Sequence, residues 1–424
     1  MIDTGKKKAI KIMLMLSAVY MASYLCRYSY AAVLPEMVRS TGKLKSELSV
    51  AVTCLFVCYG IGQLISGVLG DRISPKKLII CGMMTSIALN IAVPFAKETW
   101  LINIIWSVNG LAQAFIWPPS VALLSALLSQ DDYARGTVWL SFGGNIGTIS
   151  LYLLSPLFVR LWSWRGTFLF GGITGLIIMI FFTVLFPNVP PASASKAASA
   201  NAVNTENPEK PEKPEEIRGP QEVEKKKKIL FVTLITPSLI AIMLCILTQG
   251  FIKDGITTWM PTYISEIFNI DSAASILTGV LLPVFAMICL KLSNILNKKL
   301  ITNPITCAGA LFGIGAVSAL ILFVVKSGTA PLTVFFSVLL TGTMHGVNLM
   351  LICMLPLYFK ESGKISTASG LLNFTTYAGS SASAYVLAVL SENTSWNTIF
   401  LIISGVAAVS GVICILVRNF KVKT

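Results

Sequence analysis

The sequence predicts an all-α polytopic membrane protein with twelve transmembrane helices in two similar halves. Hydrophobic residues make up 54% of the 424-residue chain and charged residues only 12%. That charged fraction is about half of what an average soluble domain carries. Apolar runs of about 20 residues recur along the chain, and each is long enough to cross a hydrocarbon core about 30 Å thick. One polar segment divides these runs into six and six.

The twelve predicted spans have approximate boundaries at 12–34, 48–69, 78–96, 100–128, 137–159, 166–187, 232–264, 274–296, 301–325, 331–358, 366–390 and 396–417. The polar segment, residues 188–228, is rich in Pro, Glu, Ser and Lys and ends in Lys225–Lys228. Such a composition cannot bury a core, so a disordered linker is expected. The domains are therefore a six-helix half at 1–187, the linker at 188–228 and a second six-helix half at 229–424.

Basic residues are distributed unevenly between the two sides of the predicted membrane. With an even number of spans, 23 of the 33 Lys and Arg residues fall in segments on the side of the termini. This bias predicts that both termini and the linker are cytoplasmic, in the inner cell membrane. It also explains the net charge of +14 without nucleic acid as a partner. The expected surroundings are a lipid bilayer, and a monomer is expected.

Short matches between the two halves suggest a duplicated six-helix unit. Arg27 precedes Pro35 by eight residues, and Lys253 precedes Pro261 by eight. Two further pairs of segments match. Lys76-Lys77-Leu78-Ile79 corresponds to 298–301 at an offset of 222 residues, and Ser163-Trp164 corresponds to 395–396 at an offset of 232 residues. Both offsets are close to the 226 residues that separate Arg27 from Lys253. Parallel repeats of this kind hold a substrate between the halves, near the bilayer midplane, and rock against each other.

Three cations lie inside predicted spans: Arg27 in the first, Lys253 in the seventh, and Lys291 near the end of the eighth, where it should reach the interface. The first two are candidates for a binding site. A cation near the bilayer centre costs roughly 2.5–3.5 kcal/mol on insertion scales. An anionic substrate held between the two would explain that cost. Two structural alternatives stay open: Arg27 could be satisfied by backbone carbonyls, and Lys253 could pair with its neighbour Asp254 or reach the outer interface.

Polar and aromatic residues at helical spacing predict which spans line a cavity. These faces occur in spans 1, 4, 5, 7, 10 and 11, whereas spans 6 and 12 are almost wholly apolar and should face lipid. The candidate binding residues are Arg27, Lys253, Tyr24, Tyr28, Gln113, Trp117, Asn145, His345, Asn348, Asn373 and Tyr377. For the aromatic residues and His345, the only histidine, ordinary helix packing is the alternative.

The segment between spans 2 and 3 contains Gly67, Gly70, Asp71, Arg72, Lys76 and Lys77. This pattern resembles the G-x-x-x-D-R-x-x-x-[RK]-[RK] loop of the major facilitator superfamily. The resemblance implies the major facilitator fold, with twelve helices in two pseudo-symmetric halves. It also implies that these six residues form a conformational latch between the halves.

Other segments resemble the organophosphate:phosphate antiporter family within that superfamily. Residues 109–119, from Asn109 to Pro119, are similar to the family's N-G-x-x-Q-G-x-G-W-P-P, and Lys253 with Trp259, Pro261, Thr262 and Tyr263 is similar to its [RK]-x5-W-x-P-T-Y. Arg27 matches the family's arginine in span 1. The resemblance implies that Arg27 and Lys253 bind a phosphoryl group between them. Lys253 stands where many members have Arg, Thr258 where an acid is common, and Ala114 and Ile116 replace glycines.

The function expected from these features is secondary transport of a phosphorylated small organic anion, a sugar phosphate or glycerol phosphate, in exchange for inorganic phosphate. One alternative is a proton- or sodium-coupled symporter of organic carboxylates, although Cys26 stands where that branch usually has Asp. Another is a transporter-like sensor of sugar phosphates. No phosphate-binding loop or catalytic constellation is present, so no enzyme activity, cofactor or metal is expected.

Overall fold

The computed structural model describes residues 4–70, 73–189, 236–325, 328–359 and 365–420. Within these ranges the chain forms fourteen α-helices joined by short connections. The predicted linker at 188–228 lies almost entirely outside the described residues, as do Asp71 and Arg72.

The first half contains seven helices. They are α1 (Thr4–Thr41), α2 (Lys45–Gly70), α3 (Pro75–Ala92), α4 (Thr99–Gln113), α5 (Trp117–Leu127), α6 (Gln130–Trp162) and α7 (Arg165–Leu185). The fourth predicted span is divided between α4 and α5. The division falls just before Pro118 and Pro119, which lie in the first turn of α5, where proline is favoured because its missing N–H is not needed there.

The second half also contains seven helices. They are α8 (Pro237–Phe268), α9 (Ser272–Thr278), α10 (Leu281–Lys299), α11 (Pro304–Val325), α12 (Ala330–Asn348), α13 (Ile365–Asn393) and α14 (Trp396–Leu416). After α12 the chain continues as a π-helical segment, Leu349–Met354, and a 3-10 segment, Leu355–Phe359. The eighth span is divided between α9 and α10.

Several helix ends are fixed by the residue types that the sequence places there. The side chains of Ser129, Thr236 and Ser395 cap α6, α8 and α14 by accepting a hydrogen bond from the backbone N–H three residues on. Such caps satisfy one of the free donors at a helix start. Asn269 ends α8 in the left-handed conformation, with φ at 50°.

Eleven of the predicted spans coincide with helical segments that are long and apolar enough to cross a membrane. The remaining one, the eleventh span, is α13, which is long enough at 29 residues but carries many Ser, Thr and Asn side chains. It packs mainly against α2 and α8 inside the bundle, so its polar residues find protein neighbours. The prediction of an all-α polytopic protein is confirmed.

The two halves meet along α2 with α13, α6 with α9 and α10, and α1 with α8 and α9. We call the end of the bundle where α1, α3, α6, α8, α11 and α13 begin the terminal face. The end with the connections 42–44, 163–164, 269–271 and 394–395 is the opposite face. Large apolar side chains of α7 and α14, such as Phe181 and Val409, are exposed on the outside of the bundle. This placement agrees with the predicted lipid contact of spans 6 and 12.

Candidate substrate site

Arg27 lies in the middle of the bundle on α1, where only 8% of its surface is exposed. Its guanidinium carbon stands 3.8 Å from the centre of the Tyr59 ring. The rings of Tyr28, Phe56 and Tyr377 surround it at 5.7–5.9 Å. Aromatic faces attract a cation, and the attraction grows when water is excluded. The sequence thus builds an aromatic cage for this side chain from three helices.

No carboxylate compensates the charge of Arg27 in the part of the chain that the structure describes. It forms no ion pair there, and its Nε atom is buried without a hydrogen-bond partner. A buried polar atom without a partner costs about 1–3 kcal/mol, and more for a charged group. Arg27 is therefore placed to receive an anion that supplies the missing acceptor.

Lys253 lies on α8 and has a different environment. Its Nζ atom is 3.4 Å from Oδ2 of Asp254, and 14% of its side chain is exposed. The Asp254 side chain is buried and accepts a hydrogen bond from Oγ of Ser380 on α13. The pairing with Asp254 that the sequence left open is thus present in the structure. Lys253 nevertheless faces the same chamber as Arg27.

Close contact between α8 and α13 puts these groups together. A Cβ atom at Gly250 would lie 2.2 Å from the carbonyl oxygen of Thr376, and one at Gly379 would lie 2.0 Å from that of Leu247. Both distances are too short for any side chain. Glycine at these two positions therefore allows the backbone approach that brings Asp254 against Ser380.

The cations line a chamber of ≈ 130 Å³ between the halves. It adjoins a larger vestibule of ≈ 530 Å³, and the two share Tyr24, Asn145, Lys253, His345 and Tyr377 in their walls. The vestibule widens toward the terminal face, where Trp117, Ser141, Pro356 and Ser369 line it. A small anion would fill the chamber, and the vestibule leaves room for an organic group attached to it.

A row of aromatic rings runs along one wall of the vestibule. The ring centres of Trp117, Tyr20, Tyr24 and Tyr28 follow each other at 5.1, 5.0 and 5.3 Å. The three tyrosines are four residues apart on α1, so one helical face carries them all. The row leads from the terminal face toward Arg27.

Ten of the eleven predicted binding residues line the two connected spaces. The chamber walls contain Tyr24, Arg27, Tyr28, Asn145, Lys253, His345 and Tyr377, and the vestibule walls add Trp117, Asn348 and Asn373. Helical spacing therefore identified the correct faces of spans 1, 5, 7, 10 and 11.

Gln113 is the exception, because its side chain lies in the interior of the first half. Its Oε1 accepts a hydrogen bond from Oγ of Ser23 at 2.6 Å, and its Nε2 donates to Oγ of Ser86 at 2.7 Å and to the Ser23 carbonyl. The same network includes Asn109, which accepts from Ser86. Polar residues in a membrane helix satisfy one another inside the bundle as readily as they line a cavity. We do not include Gln113 among the proposed binding residues.

Two wall-forming helices were missed by the sequence analysis. The second span contributes Tyr59 and Gln63, and the eighth contributes Pro283, Ala286 and other small or apolar residues. Tyr59 and Gln63 are four residues apart and so share one face of a span without charged residues, which was a usable signal. The residues of the eighth span gave no such signal because they are not polar.

The predicted latch residues lie at the terminal face. Gly67 and Gly70 belong to the last turn of α2, and Lys77 is exposed. Lys76 is buried, and its Nζ donates to the carbonyls of Thr183 and Phe186 at 3.0 and 2.6 Å and to Asn188 at 3.1 Å. These acceptors are at the end of α7, where a cation also complements the helix dipole. Lys76 thus contacts its own half in this structure, and the latch role stays a prediction.

Ion pairs and hydrogen bonds join the two halves at the opposite face. Lys45 pairs with Glu266 at 2.9 Å, and the backbone N–H of Ser46 donates to Glu392 at 2.8 Å. Nη1 of Arg39 lies 3.9 Å from Oδ1 of Asp271. The Ser272 hydroxyl donates to Glu36. The central space is therefore closed at the opposite face, and the vestibule extends from it toward the terminal face.

Two six-span halves around a polar central space, closed at one end, define a membrane carrier in which access alternates between the two sides. The model of the Major Facilitator Superfamily matches residues 16–384, and the chain belongs to this superfamily. A solved crystal structure of the nucleoside transporter NupG shares the fold, with a TM-score of 0.72, 12% identity and coverage of 96% of this chain and 99% of that chain.

Similar curated proteins include the membrane sensor protein UhpC of Escherichia coli, 22% identical over 93% of this chain and 88% of that protein. The glycerol-3-phosphate transporter of Bacillus subtilis is 23% identical over 91% of this chain and 86% of that protein. These proteins are of the organophosphate:phosphate antiporter family that the motifs resemble, so that prediction is confirmed.

Proposed function

We propose that the chain transports a phosphorylated small organic anion, a sugar phosphate or glycerol phosphate, in exchange for inorganic phosphate. The observation that carries the proposal is Arg27, a buried guanidinium in the wall of the central chamber that has no counter-ion among the described residues. Its planar fork suits two phosphoryl oxygens, and Lys253 in the same chamber adds a compact charge. The similarity to a glycerol-3-phosphate transporter supports the same substrate class.

The arrangement also gives a reason for exchange. Without an anion, the two cations of the chamber repel each other across it, which opposes closure of the halves around an empty site. A bound phosphoryl group attracts both cations and so draws the two halves together. The loaded carrier then changes its direction of access more readily than the empty one, and each reorientation carries an anion.

The orientation of the carrier is part of the proposal. The excess of basic residues on the side of the termini supports a terminal face in the cytoplasm, with the protein in the inner membrane. In that orientation the vestibule extends toward the cytoplasm, and the ion pairs of the opposite face close the central space on the outside. We propose a monomer as the working unit, because each chain provides both halves.

Phosphate counterflow tests the proposal. The purified full chain is reconstituted in liposomes loaded with phosphate, and uptake of external radiolabelled phosphate is measured, with glucose 6-phosphate, glycerol 3-phosphate and a dicarboxylate as competitors. We expect uptake that needs internal phosphate and is inhibited by the organic phosphates. Lys291→Ala is a matched control, because this exposed lysine of α10 does not line the cavity.

Loss of counterflow in Arg27→Ala and Lys253→Ala, with Lys291→Ala unaffected, would support the proposal. Unchanged counterflow in both site variants would contradict it, and inhibition by the dicarboxylate alone would favour the carboxylate symporter. The similarity to a protein named as a membrane sensor makes sensing the second candidate. Calorimetric binding of organic phosphates without counterflow would identify that role.

A further inference from the structure

The outer surface of the first half carries a groove near the terminal face. It consists of two recesses of ≈ 300 and ≈ 590 Å³, which share Arg135 and Trp139 in their walls. The first recess lies between the start of α1 and the start of α6, and the second continues along α6. None of their wall residues also lines the chamber or the vestibule. We call the two recesses together the lateral groove, and its apolar walls include Ile10, Met13 and Leu14 of α1 and Val138, Phe142 and Ile146 of α6.

Close packing of α1 against α6 makes the lateral groove a fixed feature. A Cβ atom at Gly143 would lie 2.2 Å from the carbonyl oxygen of Ser17, and the Ser17 hydroxyl donates to the Trp139 carbonyl at 2.6 Å. The helices therefore touch at this level, whereas nearer to the terminal face the recess between Ile10 and Arg135 separates them. A ligand that fills a preformed recess avoids most of the cost of ordering the protein around it.

The end of the lateral groove at the terminal face is cationic. The Arg135 side chain is 72% exposed, and its 3.5 Å ion pair with Asp132 engages only Nη1. A guanidinium has five N–H donors, so other donors remain for an anion. Lys7 and Lys11 are exposed on α1, and they share a helix face with Leu14 because they precede it by seven and three residues. The three cations and the one carboxylate give this end a formal charge of +2.

The remaining groove is apolar and about as long as one leaflet is thick. Arg135 and Ile146 are eleven residues apart on α6. At 1.5 Å per residue this corresponds to about 16 Å along the helix. Half of a hydrocarbon core about 30 Å thick is about 15 Å. Asn145, the neighbour of Ile146, lines the chamber together with Arg27, so the groove ends near the level of the substrate site.

We propose that the lateral groove binds one anionic phospholipid from the leaflet at the terminal face. Arg135 and the two lysines bind the headgroup phosphate, and one acyl chain lies along Val138, Phe142 and Ile146. The bias of basic residues toward the terminal face explains the cations, but it does not explain a fixed recess beside them. A free phosphate would leave the apolar part of the groove unfilled, so we assign the site to a lipid. This site does not depend on which substrate the chamber binds.

Native mass spectrometry of the detergent-purified full chain tests the proposal. The protein is titrated with phosphatidylglycerol and with phosphatidylcholine that has the same acyl chains. We expect one phosphatidylglycerol to bind with a Kd at least about tenfold lower than that of phosphatidylcholine. Phosphatidylglycerol should also raise the unfolding temperature more, because a ligand that binds only the folded state stabilises it. Equal affinity of the unsubstituted protein for the two lipids would overturn the proposal.

Substitutions locate the headgroup. Arg135→Gln combined with Lys7→Gln and Lys11→Gln should bring the two lipids to within about twofold of each other in Kd, whereas Arg135→Lys alone should keep most of the preference. The matched control is Arg160→Gln, because Arg160 is an exposed arginine at the other end of the same helix. If Arg160→Gln lowers the preference as much as the triple variant does, the effect is one of overall charge and the proposal is wrong.

Two further measurements distinguish a lipid from a free anion. Inorganic phosphate and the deacylated headgroup glycerophosphoglycerol should not displace phosphatidylglycerol, and displacement by either would assign the cations to a soluble anion instead. Phosphatidylglycerol with brominated acyl chains should quench Trp139, so Trp139→Phe should lower the quenched fraction of the fluorescence. An unchanged fraction would contradict the position of the acyl chain. Arg27→Ala should bind phosphatidylglycerol as the unsubstituted protein does, so failure of the proposed transport leaves this inference intact.

Discussion

Arg27 and Lys253 occupy corresponding positions in the two halves, each eight residues before a proline inside its helix, yet their surroundings differ. Arg27 is held by aromatic rings and has no described counter-ion, whereas Lys253 is paired with Asp254. A ring attracts a cation without cancelling its charge, but a carboxylate cancels it. The first half therefore presents a full positive charge to the cavity, and the second presents a partly neutralised one.

The difference suggests a division of roles between the halves. We propose Arg27 as the main anchor for the anion, with the Lys253–Asp254 pair lowering the net positive charge of the site. Substitutions at and around the two positions test this division, and the expected effects on transport decrease from Arg27 to Glu266.

Arg27→Ala should have the largest effect on transport. Truncating one partner of a buried charged contact costs about 2–5 kcal/mol, so counterflow should fall by about a hundredfold or more. Thermal unfolding in detergent should show little loss of stability, since no described carboxylate is left unpaired. A large drop in the unfolding temperature would instead assign Arg27 a structural role and remove the contrast with Lys253. Arg27→Leu, which fills the space better, is the control for cavity formation.

Lys253→Ala should reduce both transport and stability, because it leaves Asp254 buried without its cation. Breaking a buried ion pair on one side costs about 3–5 kcal/mol, whereas removing both charges can be nearly neutral. The double variant Lys253→Ala with Asp254→Ala should therefore recover the unfolding temperature but not counterflow. If Lys253→Ala is as stable as the unsubstituted protein, the pair does not act as the structure suggests.

Tyr59→Leu should weaken phosphate binding moderately by loosening the cage around Arg27. A buried cation–π contact contributes about 1–2 kcal/mol, which corresponds to roughly a five- to thirtyfold rise in KM. Tyr59→Phe keeps the ring face and is the matched control, with a KM close to that of the unsubstituted protein. Equal effects of Leu and Phe would mean that the hydroxyl group matters, and not the ring.

Glu266→Gln should have the smallest effect, because its pair with Lys45 is partly exposed at the opposite face. Such pairs contribute about 0.2–1 kcal/mol. The population closed at that face should fall by a few-fold at most, while binding at Arg27 and Lys253 is unchanged. Spin labels at the exposed Leu44 and Thr394, with Cys81 and Cys353 replaced by Ser, would report the distance between the halves there. A distance distribution unaffected by Glu266→Gln would show that the pair does not help to close this face.

Much of the site could be predicted because a membrane makes polar residues informative. Arg27, Asn145, Lys253 and His345 stand out in apolar spans, and each lies in the walls of the chamber. The same reasoning failed for Gln113, since a polar side chain in a span can also satisfy a neighbouring helix. Polarity alone does not say which neighbour a side chain faces.

The class of the protein, the number of spans, the division into two halves and the positions of the two central cations could be read from the sequence. They depend on hydropathy, spacing and charge along the chain. The tertiary structure decided that Arg27 is surrounded by rings from α2 and α13, that Ser380 holds Asp254 beside Lys253, and that the cavity is closed at the opposite face. Each of these depends on contacts between helices far apart in the chain. Their relative rotation is set by close packing, such as that at Gly250 and Gly379, and not by the sequence pattern of any single helix.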